Sequence, residues 1–195
     1  ISNSNRSEKA SKLAMQLLSQ MESINRQTIY DLQSSLSAEL AEDYFGSATT
    51  FVAAEIDQIT RKAKILSVGD SRAYLIDAQG KWQQITQDHS ILSELLADFP
   101  DKKEEDFATI YGGVSSCLVA DYSEFQDKIF YQEIEIKPGE SLLLCSDGLT
   151  DRLSAEVREK IWKQYDNDKS RLTVCRKLVE KQRFYDDLSV VICRV

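Results

Sequence analysis

The sequence predicts an α+β protein, a layered sandwich in which helices cover the faces of sheets. Three observations carry this. The first forty-odd residues and the stretch 154–183 have helical apolar spacing. The middle of the chain is a series of short runs rich in β-formers. The turns between those runs are too short for parallel crossovers, so the strands they join are antiparallel. At 195 residues the chain suits one domain, 1–195, with a full hydrophobic core.

Taken in order, Ala10, Leu13, Ala14, Leu17, Leu18 and Met21 form one apolar stripe, with Ser7 as the expected N-cap and Glu8 in the first turn. A second stripe runs Ile29, Leu32, Leu36, Leu40, Tyr44, and Gly46 ends it. Strands are expected at 49–56, 63–68, 73–76 and 81–85, with Ala78-Gln79-Gly80 as a hairpin turn. Residues 90–98 read as a short helix stopped by Pro100, and 101–127 as irregular. Strands follow at 129–136 and 141–145, joined by Lys137-Pro138-Gly139-Glu140. Ser154 caps a helix to about Tyr165, and 170–183 is the next, with Leu172, Cys175, Leu178 and Val179 inward. Residues 188–195 close the chain as a strand.

Bulk properties exclude several classes. The net charge is −8 and no dense Lys/Arg stretch exists, which argues against a nucleic-acid partner. No 18-residue apolar run is present, so no membrane span is expected. No signal-peptide pattern appears, and because the chain starts at Ile1 rather than Met it reads as a piece of something longer. Cys117, Cys145, Cys175 and Cys193 form no C-x-x-C pair; zinc is not expected, Cys145 and Cys193 read as small buried hydrophobes, and a reducing, cytoplasmic compartment fits best.

The chemistry lies in aspartates placed at the ends of apolar runs: Ile65-Leu66-Ser67-Val68-Gly69-Asp70, Leu142-Leu143-Leu144-Cys145-Ser146-Asp147, and Asp186-Asp187 before Leu188-Ser189-Val190-Val191-Ile192. Carboxylates at strand ends that converge without a basic partner hold hard cations such as Mg²⁺ or Mn²⁺. Each also has a structural reading. Asp147-Gly148 is turn chemistry, Asp70 suits backbone capping or a pair with Arg72, and Asp151 suits a helix cap. Asp187 competes with Asp186 as the ligand of the third segment. His89, the sole histidine, reads as structural rather than as an acid or base. Ser71 and Ser146 have no histidine partner, so a serine nucleophile is not expected. Gly112-Gly113 is too short for a phosphate loop, and Trp82 and Trp162 read as packing.

Five segments in order carry a family resemblance: Ser47-Ala48-Thr49-Thr50, Val68-Gly69-Asp70-Ser71-Arg72-Ala73, Thr86-Gln87-Asp88-His89-Ser90, Cys145-Ser146-Asp147-Gly148-Leu149-Thr150-Asp151, and Asp186-Asp187-Leu188-Ser189-Val190. The chain resembles the metal-dependent protein phosphatases of the protein phosphatase 2C type, in their bacterial form. That resemblance implies a four-layer αββα sandwich of two antiparallel sheets flanked by helix pairs. It implies hydrolysis of phosphoserine and phosphothreonine in proteins by a water bridging two metals, with no covalent enzyme intermediate. It implies two Mn²⁺ or Mg²⁺ ions, and a third in bacterial relatives. Asp147 and Asp186 would be direct metal ligands, and Asp70 and Asp151 would serve the third ion. The partners implied are phosphorylated proteins and a cognate Ser/Thr kinase.

Three departures from the family pattern matter. The leading strands, with a phosphate-binding arginine, an acidic residue and an Asp-Gly pair, are expected upstream of Ile1; without them 1–195 does not complete a two-metal centre. Asp187 stands where the family has Asn. The stretch Tyr111 to Phe125, the flap in relatives, lacks the usual pattern, so substrate choice is unreadable there. The alternative reading is a phosphatase-like regulatory or protein-binding module without catalysis.

Overall fold

A computed structural model describes residues 6–107, 113–125, 128–183 and 187–194. Its contacts divide the chain into two compact units: Ile1–Glu55, Lys64–Asp70 and Asp88–Gln132, and Ile56–Ala63, Ser71–Gln87 and Glu133–Val195.

In the first unit, α1 (Ser7–Leu18) buries Ala10 and Ala14, two turn-spaced small residues that let the helix lie close to its neighbours. Its N-cap is Arg6, in a left-handed conformation and without a side-chain cap; Ser7 is the first helical residue rather than the cap. Helix α2 (Arg26–Leu40) starts at a capping box, in which Asn25 Oδ1 accepts from Gln27 N–H and Thr28 Oγ1 accepts from Asn25 N–H. Ile29, Leu32 and Leu36 are fully buried along it. Their partners include Phe51 and Ala53 of β2 (Phe51–Asp57) and Leu66 and Val68 of β3 (Lys62–Val68). The expected strand at 49–56 is broken in two: β1 (Ala48–Thr49) pairs antiparallel with β6 (Leu118–Val119), and β2 belongs to a sheet of order β2-β3-β7, with β7 at Phe130–Glu135. Helix α3 (Ile91–Asp98) is capped by the Ser90 hydroxyl. The irregular stretch after Pro100 holds a 3₁₀ turn at Glu104–Phe107 and the short β6.

In the second unit, β4 (Arg72–Ile76), β5 (Trp82–Gln84), β8 (Ser141–Cys145) and β9 (Val190–Arg194) form an antiparallel sheet of order β5-β4-β8-β9. β8 lies inside it because Leu142, Leu143 and Cys145 are apolar on both faces and all are buried. Helices α5 (Ala155–Gln164) and α6 (Asp168–Glu180) share a core with it through Ile161, Trp162, Cys175 and Val179. Trp82 and Trp162 meet edge to face, with centroids 4.6 Å apart, as the packing reading expects. Helix α6 starts two residues earlier than the sequence suggested, because Asn167 caps it: Asn167 Oδ1 accepts Ser170 N–H at 2.8 Å. Cys145 is buried as expected, whereas Cys193 on edge strand β9 is only half-buried.

Candidate metal site

Asp147 sits where β8 gives way to a single helical turn, α4 (Asp147–Thr150), which sequence reasoning read as a plain turn. Ser146 is its N-cap, but the Ser146 hydroxyl does not cap it. That hydroxyl instead donates to the Asp187 carbonyl at 3.0 Å and accepts from Ser189 N–H at 3.1 Å. The Ser146 N–H donates in turn to the Ser189 carbonyl at 3.0 Å. The β8–β9 ladder, in register at Cys145 and Val190, therefore continues one residue past the strand ends. This latch holds the 187–189 segment beside the residue that precedes Asp147. Sequence reasoning missed it; the only signal was a Ser before Asp-Gly, which reads first as a helix cap.

The Asp147 carboxylate takes one backbone donor, Gly148 N–H at 2.9 Å. Asp151 closes the turn, its N–H donating to the Asp147 carbonyl at 2.9 Å, so the two aspartates stand four residues apart on one helical turn. Asp151 is thus a C-cap residue, not the start of the following helix, whose cap is Ser154. Asp70 follows Gly69 at the end of β3 in the first unit and is half-buried. Asp186 lies outside the described residues, as do Tyr111 and Gly112; Asp187 is exposed, with its carbonyl engaged by Ser146.

Carboxylate oxygens are the donors a hard divalent cation takes, so the residues fit Mn²⁺ or Mg²⁺ in kind. Among the described residues, no group of three or more His, Cys, Asp or Glu side chains gathers closely enough to hold an ion. Burial pushes the Cys175 thiol up to about 11, which keeps it protonated and inert. Among the described residues no helix is long and apolar enough to cross a membrane.

A model of the protein phosphatase 2C family matches residues 2–178. The serine/threonine phosphatase stp of Listeria monocytogenes is 32% identical over 169 residues, which is 79% of this chain and 65% of that protein. The crystal structure of the serine/threonine phosphatase Stp1 from Staphylococcus aureus has a TM-score of 0.83 at 24% identity, covering 100% of this chain and 80% of that one. The catalytic domain of PstP, solved in complex with two manganese ions, has a TM-score of 0.74 at 23% identity, covering 95% of this chain and 80% of that one. The chain spans less than two thirds of the length of the first curated relatives that it matches. Mixed helices and antiparallel sheets, an α+β sandwich shared with these structures, and a family match over most of its length lead to one conclusion: the chain belongs to the protein phosphatase 2C family.

Proposed function

We propose that the protein carrying this chain is a metal-dependent serine/threonine phosphatase, with residues 1–195 as most of its catalytic domain. The observation that carries the reading is the latch at Ser146, which gathers the Asp147 turn and the 187–189 segment at the same end of β8 and β9. The phosphatase names of the relatives favour an enzyme over a regulatory module. The manganese ions of PstP support Mn²⁺, with Mg²⁺ as the chemically similar alternative.

In this reading Asp147 and Asp186 hold the central ions, and Asp70 and Asp151 are ligands of a weaker third. When bound, such ions neutralise charge on a phosphate ester and make water more acidic. The chain's own part is to hold the donors still. The Gly148 amide fixes one oxygen of Asp147. Ser146 fixes the backbone that leads back to Asp186. The substrates are phosphorylated proteins, and a cognate kinase would act on the same serines and threonines. A cytoplasmic setting and a role in signalling belong to the same reading.

The test is hydrolysis of a phosphoserine peptide by the full-length gene product under Mn²⁺ titration. Turnover should require the metal, stop on EDTA treatment, and vanish in a folded Asp147→Asn variant. Turnover that survives thorough chelation, or near-normal turnover of that variant, refutes the assignment.

A further inference from the structure

We propose that His89 is a positioning residue that pins the turn presenting Asp70 to the segment 113–116. The proposal rests on Asp70 as a metal ligand. Its geometry lies wholly within the first unit.

His89 is 6% exposed and faces Gly69 through two hydrogen bonds of opposite sense. The Gly69 N–H donates to His89 Nδ1 at 3.2 Å, and the His89 N–H donates to the Gly69 carbonyl at 2.9 Å. Both polar groups of Gly69 therefore belong to one residue. On its other side the His89 carbonyl accepts Ser115 N–H at 3.0 Å, and the next residues continue the link through the antiparallel Ser90–Val114 bridge and Ile91 N–H to the Gly113 carbonyl at 2.9 Å. Ser115 is anchored further by its hydroxyl, which donates to Glu94 at 2.8 Å; Lys128 meets the same carboxylate at 3.1 Å. The Ser115 hydroxyl, then Lys128, hold that carboxyl below its ordinary range.

Gly69 has little freedom besides. Its φ is +99°, and a Cβ there would lie 2.7 Å from Thr50 Cβ and 3.3 Å from the Ser116 carbonyl. The turn is thus held between Thr50, His89 and Ser116, with Asp70 as the next residue. An imidazole suits the place, because it supplies a buried acceptor without a charge. Accepting at Nδ1 fixes the tautomer with its proton on Nε2. Partners that orient a ligand from outside the coordination shell are typically worth 10- to 100-fold in metal affinity.

The experiment compares His89→Asn with His89→Leu in the full-length gene product. The two side chains have nearly the same shape, but only Asn keeps an acceptor where Nδ1 stood. Mn²⁺ binding is measured by calorimetry, without substrate, beside Asp70→Asn. His89→Leu should weaken the lowest-affinity Mn²⁺ step by roughly 10-fold, in the direction of Asp70→Asn, and His89→Asn should restore most of it. Hydrogen exchange at the Gly69 amide should quicken in His89→Leu and not in His89→Asn. A loss for Asp70→Asn with none for a folded His89→Leu overturns the pin and leaves Asp70 a ligand. No loss for either overturns both. Nitrogen NMR of the wild-type imidazole decides the matter if His89→Leu does not fold: an unprotonated Nδ1 coupled to the Gly69 amide is expected, and a proton on Nδ1 overturns the proposal.

Discussion

Substituting Gly69 by Ala tests the packing of the Asp70 turn, and Gly46→Ala supplies the control. Both glycines have positive φ, +99° and +77°, where an L side chain is strained by about 1–2 kcal/mol. They differ in space: a Cβ at Gly46 meets nothing within 4 Å, whereas at Gly69 it meets the Cγ2 and Cβ of Thr50. Thr50 Cβ cannot swing aside as a flexible tip would, so backbone must move, at an overpacking cost of about 1–3 kcal/mol. Loss of unfolded-state freedom returns about 0.4–1 kcal/mol to both variants. The net is about 3 kcal/mol for Gly69→Ala and about 1 kcal/mol for Gly46→Ala. For a chain of this size those become roughly 6–12 °C and 2–4 °C in Tm. Thermal unfolding followed by circular dichroism measures both. Equal shifts for the two variants would refute the steric argument and leave only the dihedral cost.

Three further outcomes are expected. Ser146→Ala should quicken hydrogen exchange at the Ser189 amide and cost about 1–2 kcal/mol in urea unfolding, since two hydrogen bonds to 187–189 are lost; unchanged exchange would show that the ladder alone holds the segment. Arg158 is buried against Tyr74 and Trp82, each ring centroid 5.0 Å away, and its Nε and Nη1 have no hydrogen-bond partner among the described residues; Arg158→Met should leave Tm level or raised, and a large drop would show that the cation–π contacts outweigh desolvation. Glu55 is held at about 2, against an ordinary 4.5, by the Ser23 hydroxyl, the Ile24 N–H and Lys64. A lowered carboxyl stabilises the fold above its unfolded value and loses that contribution as pH falls from about 4.5 towards 2. Its side chain is about one-third exposed, so solvent screening limits the effect to about 1 kcal/mol. Glu55→Gln should therefore flatten the acid limb of stability against pH, and parallel limbs would refute the assignment.

What local pattern encodes was legible in the chain. The apolar stripe from Ile29 to Leu40 buries as a helix because spacing alone sets that face. The doubly apolar Leu142–Cys145 becomes an interior strand because only two covered faces suit it. The aspartates after apolar runs mark strand ends, since a carboxylate cannot follow the chain into a core. Boundaries were less legible where two cap-capable residues compete, as at Asn167 and Ser170, and where a strand breaks at one residue, as at Thr50.

What the sequence by itself determined is the class of elements and the family. Tertiary structure alone decided that the Ser146 hydroxyl latches 187–189 rather than capping α4, and that His89 grips both polar groups of Gly69. Those bonds join residues some 41 and 20 positions apart, and no local spacing rule reaches so far. The physical reason is that a buried donor or acceptor takes whichever partner the folded chain brings near, and that choice is made by packing.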